Sequence, residues 1–106
     1  MKPVHLLGAL GLVLMAGCAT LQDTAPTISP EMAAHASMVG VPADTLEVGR
    51  RLMAMRCTTC HSLEPIANYT ASKWADIVAD MADRSGLDAE QAQQVTAYLQ
   101  AARSVL

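Results

Sequence analysis

Phenylalanine is absent from these 106 residues, and the aromatic side chains reduce to Tyr69, Trp74 and Tyr98. A core without large rings must be filled by something else, and seven Met with many Ala, Leu and Val can do only part of it. Charge is sparse too, at 16% of residues, with seven Lys and Arg against ten Asp and Glu. The lack of a basic stripe argues against nucleic acid as a partner. Nowhere does the chain alternate apolar and polar residues as a strand does, so an all-α domain is expected. The length leaves room for one small domain.

What the sequence does hold is Cys57-Thr58-Thr59-Cys60-His61. Two thiols three positions apart can each add to one vinyl group of a haem, and a His directly after the second is delivered beneath the iron. This is the c-type haem attachment signal, with Cys57 and Cys60 as covalent anchors and His61 as an axial ligand. Cys-x-x-Cys alone also suits a thiol redox pair or half of a zinc site; the adjacent His narrows the choice. One covalent haem c would supply the large flat apolar body that the side chains do not.

The first residues read as an export signal: Lys2, an apolar run from Leu6 to Met15, then Ala16-Gly17-Cys18. Leu14-Met15-Ala16-Gly17-Cys18 resembles the lipobox of bacterial lipoproteins, which implies a signal peptide over 1–17 and a lipid on Cys18. The alternative is an ordinary signal with an incidental Cys18. Lipidation accounts for the third cysteine, which an exported protein would otherwise carry as an odd thiol. Ala19 is not the Asp that holds enteric-type lipoproteins at the inner membrane, which points to the outer membrane, facing the periplasm. Removal of 1–17 takes away Lys2 and leaves six Lys and Arg against ten Asp and Glu, a formal charge of −4. Such an acidic surface can steer encounters with a basic redox partner.

Residues 18–43 read as a flexible tether, broken by Pro26, Pro30 and Pro42. Its reach would be roughly 25 to 30 Å, or up to about 80 Å when drawn straight. Inside it, Ser29-Pro30-Glu31 has the form of a helix start, after which Met32, His35, Ala36 and Val39 share a face. The folded domain is expected over 44–106. Asp44 to Glu47 has the spacing of a capping box, and Leu46, Gly49, Leu52 and Met53 then fall on one helical face leading to Cys57. Ser62 to Ser72 reads as loop, with Pro65 placed to help a carbonyl meet the Nδ1 hydrogen of His61. Ser72 is the expected cap of a helix over 73–84, in which Trp74, Ile77, Val78 and Met81 recur at helical spacing. Asp88 is the expected cap of a last helix, lined by Val95, Tyr98, Leu99 and Ala102.

Gly49 and Met53, eight and four residues before Cys57, together with the terminal Val95-Thr96-Ala97-Tyr98-Leu99, resemble the small class I cytochromes c. The resemblance spans about residues 46 to 103 and implies a compact all-α fold in which the helix carrying Gly49 crosses the C-terminal one. Met53 stands where that family has an aromatic. Trp74-x-x-x-Val78-x-x-Met81 is similar to a pattern of compact cytochrome c domains in which the Met is the distal iron ligand. This implies His61/Met81 ligation. Met81 as one more buried apolar residue is the alternative, and Met32, Met38, Met53, Met55 and His35 are rival ligands. Tyr69 and Trp74 can donate to haem propionates or belong to core and rim, while Arg50, Arg51 and Arg56 can pair with propionates or with acidic neighbours.

The function these readings imply is one-electron transfer by a membrane-tethered periplasmic monohaem cytochrome c, not an enzyme in its own right, working with redox partner proteins. Its rivals are a haem-based ligand-binding or sensor protein with an open distal site, and an electron-transfer subunit of a larger oxidoreductase.

Overall fold

The computed structural model describes residues 20–59 and 61–106. The expected signal peptide, Cys18 and Cys60 lie outside the described residues. Among the described residues five helices follow one another: α1 (Leu21–Thr24), α2 (Pro30–Met38), α3 (Ala43–Arg56), α4 (Ala71–Met81) and α5 (Ala89–Ser104), with short 3₁₀ turns at Cys57–Thr59 and Ile66–Asn68. There is no strand among the described residues, and the fold is all-α.

Helix ends show where local chemistry decides and where it does not. Asp88 caps α5 as expected, its carboxylate accepting from Gln91 N at 2.8 Å while the Gln91 side chain accepts from Asp88 N at 3.0 Å. The start of α3 differs from expectation. Its N-cap is Pro42, without a side-chain cap bond, so Asp44 sits inside the first turn, where its charge still favours the helix dipole. The Pro42 ring holds φ near −65°, which fixes the entry to the helix two residues earlier than a box on Asp44 would. Thr70, not Ser72, caps α4, accepting from Lys73 N at 3.2 Å. Helix α4 ends at Met81 instead of residue 84, and the chain winds on to a Schellman turn. Leu87 N donates to Ala82 O at 2.9 Å and Gly86 N to Asp83 O at 3.2 Å, with Gly86 at φ 69°. Leu87 is buried just beyond it.

The crossing of α3 and α5 makes the centre of the core. Leu46 and Met53 from α3 meet Val95, Tyr98, Leu99 and Ala102 from α5, all buried. Gly49 lies at the closest approach: a Cβ there would stand 2.9 Å from Tyr98 Cβ and nearer still to the Gln94 carbonyl. The absence of a side chain at 49 is therefore what lets the two backbones touch. Helix α4 packs on α5 and buries Trp74 and Val78.

The segment ahead of α3 departs from the reading of 18–43 as a flexible tether. Thr24, Ala25, Met32 and Ala36 are buried, Met32 to 1% exposure. Arg50 Nε donates to Ala25 O at 3.1 Å, and the Tyr98 hydroxyl donates to Pro26 O at 2.6 Å. Pro30 does not break this segment; it opens α2, with Ser29 Oγ accepting from Met32 N at 3.1 Å. Residues from Thr24 through α2 thus form a strap packed on α3 and α5.

Two outcomes are expected. Gly49→Ala gains about 1 kcal/mol of helix propensity but drives a methyl into backbone, a clash of about 1–3 kcal/mol or more. A net loss of stability in urea unfolding checks this. Burial pushes the Tyr98 phenol up to about 12. The fold therefore favours the neutral phenol: this stability is complete below about pH 10 and is lost as pH rises towards 12. Tyr98→Phe should be about 1 kcal/mol less stable at neutral pH and show a shallower loss across that window.

Candidate haem site

A cavity of about 190 Å³ lies where the end of α3, the loop after it, α4 and α5 meet. Met53 and Cys57 line it from α3, and Trp74, Ile77, Val78 and Met81 from α4. Leu87, Val95 and Leu99 add further apolar surface, and His61, Leu63, Glu64 and Tyr69 reach it from the loop. The walls are predominantly apolar. Cys57, His61 and Met81, three residues expected to serve a haem, share this one space.

Each arrives there for a local reason. Cys57 terminates α3, its N–H donating to Met53 O, and its position follows from the register that Gly49 sets eight residues earlier. Burial pushes its thiol up, with the Ser85 side chain acting the other way. His61 is exposed at the rim, and its Nδ1 lies 2.7 Å from Ser62 O. A carbonyl oxygen only accepts, so in this hydrogen bond Nδ1 carries the proton and the Nε2 lone pair stays available to a metal. The acceptor is the carbonyl of the very next residue, and not one set by Pro65.

Met81 stands at the last residue of α4, half-buried on the cavity. The rival ligands are placed differently. Met32 is sealed beneath α2 in the core, while Met38 and Met55 are exposed to solvent at 82% and 66%. His35 lies on α2 and is not among the residues lining the cavity. Met53 does line it, one turn before Cys57 on the same helix.

Of the polar residues expected near propionates, Trp74, Tyr69, Arg50 and Arg56 are committed elsewhere, and Arg51 is exposed on α3. Trp74 Nε1 donates to Ile66 O at 2.9 Å in a buried bond, and the Tyr69 hydroxyl donates to Glu64 Oε2 at 2.7 Å. The two rings meet edge to face, centroids 5.1 Å apart at 85°. Arg50 lies 3.8 Å from Glu47 and serves the strap, and Arg56 donates to main-chain carbonyls after α4. Sequence reading missed the groups that hold the loop. Arg103 Nε donates to Tyr69 O at 2.9 Å and Gln100 Nε2 to Ala71 O at 3.2 Å, so the end of α5 clamps the chain between His61 and α4. An Arg in the last turn of a helix was the available signal, but its acceptor lies 34 residues away.

An apolar-walled space that gathers a thiol, an imidazole with its Nε2 free and a thioether suits a haem attached through cysteine. Over 54 residues the chain is 32% identical to the cytochrome c-type protein TorY of Haemophilus influenzae, a match of 51% of this chain and 15% of that one. The similarity supports a cytochrome c-like domain. This chain spans well under a fifth of that curated relative's length. No family model matches the sequence, and no solved structure matches it either.

The Trp74 bond gives a prediction for the loop. Trp74→Phe keeps an aromatic ring but leaves the Ile66 carbonyl buried without its donor, at about 1–3 kcal/mol. Lower stability, with faster amide exchange across 66–70, is the expected reading.

Proposed function

We propose that this protein is a one-electron carrier whose covalent haem c is attached through Cys57 and Cys60 and ligated by His61 and Met81. One observation carries the proposal: Cys57, His61 and Met81 converge on a single apolar cavity. When bound, the haem iron supplies the electron-accepting and electron-donating chemistry. The protein's own residues do the rest. The Ser62 carbonyl turns His61 so that Nε2 faces away from the backbone, and the hydrogen bond raises its basicity. Ile77, Val78, Val95 and Leu99 keep water out of the site. Met81 offers a neutral thioether, which favours a higher reduction potential than a second imidazole.

The setting completes the proposal. A lipid on Cys18, with the domain facing the periplasm and held preferably at the outer membrane, is the reading that the lipobox-like residues support. Thr24 is the first buried residue among those described, and the six steps to it from Cys18 span at most about 20 Å. The domain would then work close to the lipid surface, much nearer than a tether through residue 43 allows. Partners are redox proteins, with the acidic surface favouring basic ones. A docked electron-transfer subunit of a larger oxidoreductase is the second reading. It draws support from the much longer relative, of which the similar stretch is a small part.

Protein made alongside a haem-attachment system should give a pyridine haemochrome with one covalent haem per chain, and a colourless protein would defeat the proposal. The oxidised protein should be low-spin with a sulfur-to-iron charge-transfer band. Met81→Ala should lose that band and bind CO rapidly once reduced. A wild-type protein that is already high-spin and binds CO would instead indicate the sensor alternative.

A further inference from the structure

Arg56 immediately precedes the first anchoring cysteine, yet its side chain serves the far side of the cavity. Its Nη1 donates to Gly86 O at 2.7 Å and lies 3.4 Å from Ser85 O, crossing 30 and 29 residues of sequence. These carbonyls belong to the turn that leaves α4 directly after Met81. Ser85 N donates to Met81 O at 3.0 Å, so the gripped turn is bonded to the Met81 backbone itself. A cation at the end of a helical segment, facing carbonyls with no partner further along the helix, is held by hydrogen bonds and by the helix dipole together. Space there is tight: a Cβ on Gly86 would come within 3.3 Å of Arg56 Nη1.

We infer that Arg56 is a positioning residue for the sixth iron ligand, fixing the Met81-bearing turn to the end of α3 that carries Cys57. The inference rests on the proposed His61/Met81 ligation and adds to it the group that holds the thioether in place. Ser85 also shares the cavity lining with the Cys57 sulfur. Once that sulfur is a thioether it is only a weak acceptor, and the strong contact left between the two walls is the charged one from Arg56. An iron–thioether bond is weak enough to be displaced by added imidazole. The turn's freedom to swing away therefore sets how readily displacement occurs.

The test uses the haem-loaded full chain, comparing wild type, Arg56→Gln, Arg56→Lys and Met81→Ala by the sulfur-to-iron charge-transfer band and by imidazole titration of the oxidised protein. Arg56→Gln should bind imidazole about ten-fold more tightly, the size expected for loss of one charge-assisted hydrogen bond. Its band should weaken at a lower temperature than that at which the helical circular dichroism melts. Arg56→Lys keeps the charge with a less suitable donor geometry and should fall between the two. If Arg56→Gln does not accumulate, the Lys variant alone decides by the same titration. Imidazole affinity and band unchanged from wild type in the variants would overturn the role of Arg56 while leaving Met81 ligation intact. A wild type without the band, matching Met81→Ala, would overturn both.

Discussion

Two helices come into backbone contact only where one of them has no side chain, and Gly49 provides that place between α3 and α5. Most of the molecule's arrangement follows from this single approach. With Gly49 against Gln94 and Tyr98, the rise of α3 carries Cys57 about 12 Å further along, to the mouth of the cavity. The same register turns Val95 and Leu99 of α5 towards that space and leaves the Tyr98 hydroxyl at the other side, where it holds Pro26. The strap, the crossing and the site are therefore not independent. Whatever separates the helices at 49 also shifts the thiol at 57 and loosens the segment that Tyr98 ties down.

The scarcity of large rings acquires its meaning in the cavity. Trp74 and Tyr69 are the large rings of its lining, and most of the remaining wall is Met, Ile, Val and Leu, with Cys57, His61, Glu64 and Ser85 as the other members. A group bound in this space only by the folded state would stabilise that state, so attachment of a cofactor and integrity of the fold would support each other. The loop at the rim is meanwhile held from outside, by Arg103 and Gln100 of α5 and by Trp74 from within.

How far the sequence disclosed this depends on the range of the interaction concerned. The faces of α3 and α5 were legible because helical periodicity is a local signal, and Gly49 with Tyr98 and Leu99 marked the crossing because the resemblance supplied the pairing. The Asp88 cap was legible since no other cap competes within a turn. At 70–72 and 42–44 two residues were eligible in each case, and the choice fell to chain geometry that neither reveals by itself. The strap shows the same limit on a larger scale. Ser29-Pro30 announced a helix correctly, but the docking of that helix depends on Arg50 and Tyr98, 25 and 72 residues from their acceptors. Trp74 and Tyr69 looked like donors in need of partners, and they are; the partners turned out to be Ile66 and Glu64 because the loop folds back over α4.

The choice among the methionines follows from this arrangement more than from their chemistry, since every thioether is equivalent as a donor. Exposure removes Met38 and Met55 from the cavity, and the strap takes Met32 for the core. That leaves Met53 and Met81 on the lining. Met53 belongs to the wall that also carries Cys57, one turn away on the same helix, and its burial against α5 fills the space beside the crossing that an aromatic would otherwise occupy. Under the proposed ligation, drawing Met53 off to an iron would open a void next to Gly49, where the structure tolerates change least. Met81 stands on a different helix, at its last residue, where the backbone passes into a turn and the side chain is only half-buried. A ligand at a helix end can be adjusted without disturbing the crossing, provided the turn behind it is held. The contacts from Arg56 to Ser85 and Gly86 supply that hold, and they originate beside the residue that anchors the opposite wall.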